Sequence, residues 1–176
     1  PLRGKILNVY NVSLSKIADN NEIQNLIHAL GCGLGKTFNM SNLRYEKIIL
    51  MTDADVDGSH IATLLITFFF KYMRKIIESG RLYLAMPPLY KIRYKNENYF
   101  AFDEKEKDKI LKLNQKNIKP QITRFKGLGE ISPNEFKHFI GDDMRLDPVI
   151  LGKEAKIQDL LKYFMGKNTK ERQDFI

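Results

Sequence analysis

At 176 residues, with 43% apolar and 11% aromatic side chains, the chain is long enough for one packed domain with an appendage and too apolar for a disordered tail. Its 29 Lys+Arg against 21 Asp+Glu give a net charge of +8, a surface that suits a polyanionic partner without identifying one. Cys32 is the single cysteine, which excludes an internal disulfide, argues against a cysteine-based zinc site and fits a reducing, intracellular setting. Residues 1–5 lack the apolar core of a signal peptide. The greasiest run, 61–73, carries Thr63, Thr67 and Lys71 and is too short to span a bilayer, so it reads as a buried helix.

Residues 2–9, with Ile6, Leu7 and Val9 apolar, predict a short strand before a polar loop at 13–21. The chain opens without methionine in what reads as the middle of that strand, as a fragment would. Ile23, Leu26, Ile27 and Leu30 fall at helical spacing, and the glycines at 31, 33 and 35 end that helix. Residues 47–52 form an apolar run without alternation, as expected of a strand buried on both faces in a parallel sheet. Ser59 is the expected N-cap of a helix over 60–79, which Gly80 stops, and 82–86 make the next strand before Pro87-Pro88. Strand–helix–strand–helix–strand is the order of an α/β domain. Beyond it, 89–102 predict a hairpin turning at 95–98, 103–113 a charged helix and 121–125 a strand. The loop 126–130 then leads to a helix opened by Ser132-Pro133, and 157–164 form a last amphipathic helix. The change of texture puts a boundary near 90–100.

MTDADVDGSH, residues 51–60, places Asp53, Asp55 and Asp57 at every second position directly after the predicted strand of 47–52. Ligands of open α/β sheets sit at the carboxyl ends of strands. Carboxylates two apart on a strand share a face at roughly 6.5 Å spacing, within reach of one or two hard cations. Paired Mg²⁺ ions roughly 4 Å apart serve enzymes that cut or join phosphodiesters, and Mg²⁺ needs few protein carboxylates. The other reading is a solvated acidic turn capping the next helix. These ten residues alone do not separate the two. An EF-hand calcium loop also opens Asp-x-Asp-x-Asp-Gly, but its bidentate glutamate would fall at Leu64, and a strand-like run precedes it instead of a helix.

Residues 31–37 fail as a P-loop, because Leu30 stands where the first glycine belongs and a helix precedes. Lys126-Gly127-Leu128-Gly129-Glu130 fails as a dinucleotide fingerprint because Ser132 replaces the third glycine; it reads as a plain tight turn or as a backbone nest beside Arg124 and Lys126. Arg3 and Lys5 either meet phosphate or are solvated. His28, His60 and His138 are scattered, and His60 reads as packing at a helix start.

PLRGKILNV, MTDADVDGSHIATLL, PPLYKI, RFKGLGEISP and FMGKNTKERQDFI occur in this order along the chain. It thereby resembles the B subunits of bacterial type IIA DNA topoisomerases, and HIATLL, RFKGLGE and LGCG lean towards the topoisomerase IV branch over gyrase. The resemblance implies a Rossmann-like TOPRIM parallel sheet at 1–92, lacking its first strand, and a mixed α+β tail at 93–176. It implies that Asp53 and Asp55 hold catalytic Mg²⁺, for which Mn²⁺ or Ca²⁺ can substitute, with Asp57 assisting. Arg3, Lys5, Arg124 and Lys126 would contact double-stranded DNA. The nucleophilic tyrosine would come from the A subunit of an A2B2 heterotetramer in the cytoplasm. The family's upstream EGDSA glutamate and its ATP-binding region are absent from these residues, so the 176 residues alone are expected not to cleave DNA. A non-catalytic DNA- or partner-binding module remains the alternative, as does a gyrase B fragment.

Overall fold

The computed structural model describes residues 1–95, 97–114, 119–137, 139–141 and 144–167. In chain order its helices are α1 (Leu14–Ala18), α2 (Asn21–Leu30), α3 (Val56–Tyr72), α4 (Arg74–Glu78), α5 (Glu104–Leu113), α6 (Pro133–Phe136) and α7 (Glu154–Met165). The strands are β1 (Ile48–Leu50), β2 (Leu82–Ala85), β3 (Tyr90–Tyr94), β4 (Glu97–Ala101), β5 (Gln121–Arg124) and β6 (Leu146–Pro148). They form two sheets, ordered β1-β2-β6 and β4-β3-β5. This is the mixed α/β architecture expected. The chain divides into two compact units, one of Pro1–Leu50, His60–Tyr83 and the chain from Pro148 on, the other of Met51–Ser59 and Leu84–Asp147.

In the first unit, α3 is apolar nearly all round, with Leu64, Leu65, Phe68 and Phe69 buried, as the run at 61–73 requires. Phe68 meets Phe69 edge to face at 5.5 Å between centroids. The predicted single helix breaks at Met73, which leaves the helical region at φ −137° and is completely buried; α4 then buries Ile76 and Ile77. α2 ends on Gly31 at φ 74°, the left-handed stop that glycine permits. Ser13 caps α1 within what the sequence predicted to be loop. Arg74 joins α4 to α7 through paired bonds of 2.9 and 2.5 Å to Glu154.

Two expectations fail here. Residues 2–9 contain no strand: Gly4 sits at φ 100°, and the carbonyls of Val9 and Tyr10 accept from the Lys71 ammonium at 2.7 and 2.8 Å. A side chain thus satisfies backbone that a ladder was expected to pair. β1 is not buried on both faces either, since Ile49 is 38% exposed. β6, drawn from the tail, runs antiparallel to β2: Val149 N–H donates to Leu82 O and Met86 N–H to Arg145 O.

In the second unit, β3 pairs antiparallel with β4 from Tyr90↔Ala101 to Tyr94↔Glu97 and with β5 from Tyr90↔Arg124 to Arg93↔Gln121. Alternation puts Tyr90, Ile92 and Ala101 into one core, against which Ile110 and Leu111 of α5 pack. The hairpin turn is tighter than predicted. Glu97 and Asn98 already belong to β4, and Lys95 takes φ 49°, as a short hairpin loop demands. Asp103 caps α5 by accepting from Glu106 N–H at 2.7 Å, while Glu106 accepts from Phe102 N–H at 3.0 Å. At α6, Ser132 and Glu135 form a reciprocal capping box, each side chain accepting from the other's backbone N–H. The motif at 168–176, and His138, lie outside the described residues.

Candidate metal and DNA-contact site

The acidic loop follows β1 directly, and Asp53, Asp55 and Asp57 are all exposed. Asp55, not Ser59, starts α3: its Oδ1 accepts from Gly58 N–H at 2.7 Å and its carbonyl from Ser59 N–H at 3.0 Å. The helix begins four residues earlier than predicted because an aspartate side chain reaches the third helical N–H as well as a serine does. Asp57 falls in the first turn, where a carboxylate meets the positive end of the helix. Gly58 is required by close approach: a Cβ there would lie 2.0 Å from the carbonyl oxygen of Asp53.

Asp53 has a different partner. Its Oδ1 accepts from the backbone N–H of Leu128 at 2.8 Å, 75 residues away. Gly127 lies close against the carboxylate: a Cβ there would stand 3.2 Å from the carboxyl carbon and from both its oxygens. The loop that presents these groups is closed on itself. Glu130 accepts from Lys126 N–H at 2.8 Å, and a 3-10 turn at Leu128–Glu130 is held by Glu130 N–H to Gly127 O at 3.2 Å. Leu128 and Ile131 also line a shallow apolar groove with Pro133, Phe136 and Ile140.

Of the predicted basic contacts, Arg124 ends β5 with its guanidinium 6.0 Å from the centre of the Tyr90 ring, and Lys126 is exposed two residues before Leu128. Arg3 and Lys5 are exposed in the other unit. His60 is exposed in α3 and packs into no core. Sequence reasoning missed the buttresses of the loop. Lys91 of β3 pairs with Glu135 at α6, and Glu104 accepts from both Tyr90 and Lys107. The Lys91 ammonium, then the Ser132 hydroxyl, hold the Glu135 carboxyl below its usual range. Glu104 likewise pushes the Tyr90 phenol up, while Lys107 and Tyr90 pull Glu104 down. Glutamate four residues after Lys126 and three after Ser132 was the available signal.

Residues 1–87 match the Toprim domain family. The DNA topoisomerase 4 B subunit of Rickettsia conorii is 47% identical over 182 residues, covering all of this chain and 27% of that relative. The DNA gyrase B subunit of Halalkalibacterium halodurans is 44% identical over 183 residues, again across the whole chain and 28% of its own length. The chain belongs to the B-subunit family of type IIA DNA topoisomerases. The novobiocin-sensitive DNA gyrase B subunit of Streptomyces niveus, 45% identical over 183 residues, is a third such relative. The chain therefore spans little more than a quarter of the length of these proteins.

For a member of this family the group to test at the acidic loop is a divalent cation. Among the described residues, no three Asp, Glu, His or Cys side chains converge into a ready metal-holding group. A site of one or two carboxylates suits Mg²⁺, which keeps most of its waters. Asp53 and Asp55 fit that role: each engages Oδ1 with a backbone N–H, both are exposed, and both offer hard oxygen donors. No described helix is long and apolar enough to cross a membrane.

Proposed function

We propose that the chain is the metal- and DNA-contacting part of a topoisomerase IV B subunit, acting in the cytoplasm in the ATP-driven passage of one duplex through another. The identity of 47% to the rickettsial topoisomerase 4 protein, against 44% and 45% to the two gyrase proteins, supports that branch. The domain reading keeps 1–92 as the TOPRIM portion and 93–176 as the tail. Asp53 and Asp55 hold Mg²⁺ and Asp57 assists. Arg3, Lys5, Arg124 and Lys126 neutralise DNA phosphates. When bound, Mg²⁺ stabilises a leaving 3′-oxygen and anchors a neighbouring phosphate. The attacking tyrosine belongs to the A subunit of an A2B2 assembly, and ATP binds in a part of the B subunit other than these residues.

The observation that carries this reading is the 2.8 Å bond from Leu128 N–H to Asp53 Oδ1, which joins the aspartate motif to the RFKGLGE motif. A second reading has an observation of its own. The 2.7 Å cap from Gly58 N–H to Asp55 Oδ1 fits a DNA- or partner-binding module whose aspartates only start a helix.

DNA cleavage by the complete B subunit that carries this sequence, assembled with its A subunit, separates them. Asp53→Ala is expected to abolish Mg²⁺-dependent cleavage while duplex binding persists; wild-type cleavage by that variant would leave only the capping role. Decatenation without negative supercoiling supports topoisomerase IV, whereas supercoiling assigns the chain to gyrase. The 176 residues alone, which contain no EGDSA motif, are expected not to cleave even with the A subunit.

A further inference from the structure

The Asp53 carboxylate is held by a distant part of the chain, and backbone rather than side chain does the holding. Leu128 N–H takes Oδ1 at 2.8 Å, and the flat face of the carboxylate lies against Gly127, where a Cβ would sit 3.2 Å from all three carboxyl atoms. Gly127 is at φ −155°, extended backbone open to any residue, so its own conformation does not call for glycine. The carboxylate crowds the place a Cβ would take. The loop is rigid enough to aim these groups: Glu130 closes it onto Lys126 N–H at 2.8 Å, Phe125 N–H pins its start to Leu89 O at 2.8 Å, and α6 follows through the Ser132–Glu135 box.

We infer that the 127–128 backbone is a positioning clamp for Asp53: it fixes the carboxylate rotamer with Oδ1 engaged and leaves Oδ2 for a divalent cation. The inference rests on the metal reading of the acidic loop given above. Leu128 and Gly127 act through Asp53. Partners that orient a metal ligand without touching the metal typically set affinity by about 10- to 100-fold.

Two substitutions at one position isolate the N–H. Leu128→Pro removes it, and the site tolerates proline: Leu128 opens the 3-10 turn, and Gly127 before it is extended at φ −155° and ψ 167°. Leu128→Ala keeps the N–H and gives up the same apolar packing in the groove, so it is the control. Gly127→Ala tests the clamp independently, should the proline variant fail to fold, by pressing a methyl group onto the carboxylate.

The measurement is Mn²⁺ affinity of the full 176-residue chain by calorimetry. The clamp predicts wild-type-like binding for Leu128→Ala, binding weaker by about tenfold or more for Leu128→Pro, and weakened binding for Gly127→Ala. Binding lost in Asp53→Ala yet equal in Leu128→Pro and Leu128→Ala, with Gly127→Ala like wild type, overturns the clamp and leaves the metal site standing. No Mn²⁺ binding by the wild-type chain overturns both.

Discussion

Asp55 is asked to do two jobs, and they respond differently to the same two substitutions. As N-cap of α3 it accepts from Gly58 N–H at 2.7 Å. Losing such a cap to alanine costs about 1 kcal/mol, and losing a carboxylate from a helix N-terminus costs a further ~0.3–1 kcal/mol at an exposed site. Asparagine caps about as well as aspartate, so Asp55→Asn forfeits only the second contribution. At about 2–4 °C per kcal/mol for a chain of this size, Asp55→Ala should melt about 3–8 °C below wild type and Asp55→Asn about 1–4 °C below. A metal ligand orders the variants otherwise, because both remove the anionic oxygen. Mn²⁺ binding should fall severely and equally in the two, on the order of tenfold or more. Thermal melts without metal and calorimetric titrations on the same samples provide both orderings. Wild-type Mn²⁺ affinity in Asp55→Asn would refute the ligand role and leave a helix cap. Equal melting of the alanine and asparagine variants would refute the cap.

Further outcomes follow from other contacts. Lys71→Met removes the ammonium that serves the Val9 and Tyr10 carbonyls, so stability should drop by about 1–3 kcal/mol, with faster proteolysis near the start of the chain; an unchanged melt refutes it. The Glu135 carboxyl is held below its usual range by Lys91, so this pair stabilises the fold above the ordinary glutamate pKa of about 4.3 and ceases to do so as pH falls through the lowered folded value. Wild type should therefore exceed Glu135→Gln by about 1–2 kcal/mol at pH 7, and the gap should close on acidification; a gap independent of pH contradicts the pairing. Removing Arg124 and Lys126 together should lower the slope of log K for duplex binding against log salt by about 0.9 for each phosphate no longer neutralised, and an unaltered slope excludes them from the DNA surface.

What could be read from the sequence was local. The hairpin of 90–101 announced itself by alternation, α5 by its charged run, and the end of α2 by Gly31, because each is decided within a few residues. Residues 2–9 misled because β-like composition does not supply a partner strand, and Lys71, 61 and 62 residues away, took the carbonyls instead. The start of α3 was misplaced because Asp55 and Ser59 are both good caps, and pattern alone does not choose between them. The three aspartates were legible as a cluster and their family as a set of motifs. That Asp53 meets Gly127 and Leu128 was not, since neither position carries a side chain that declares a carboxylate neighbour.

The central claim is that the acidic loop is a divalent-cation site organised around Asp53. It is tested most directly by a calorimetric Mn²⁺ titration of the chain and its Asp53→Ala variant, with Mg²⁺ and Ca²⁺ as competitors. Saturable Mn²⁺ binding by the wild-type chain, displaced by Mg²⁺ and lost in the variant, is the predicted result. Binding that survives Asp53→Ala unchanged, or a wild-type chain that takes up no Mn²⁺ at all, would contradict it.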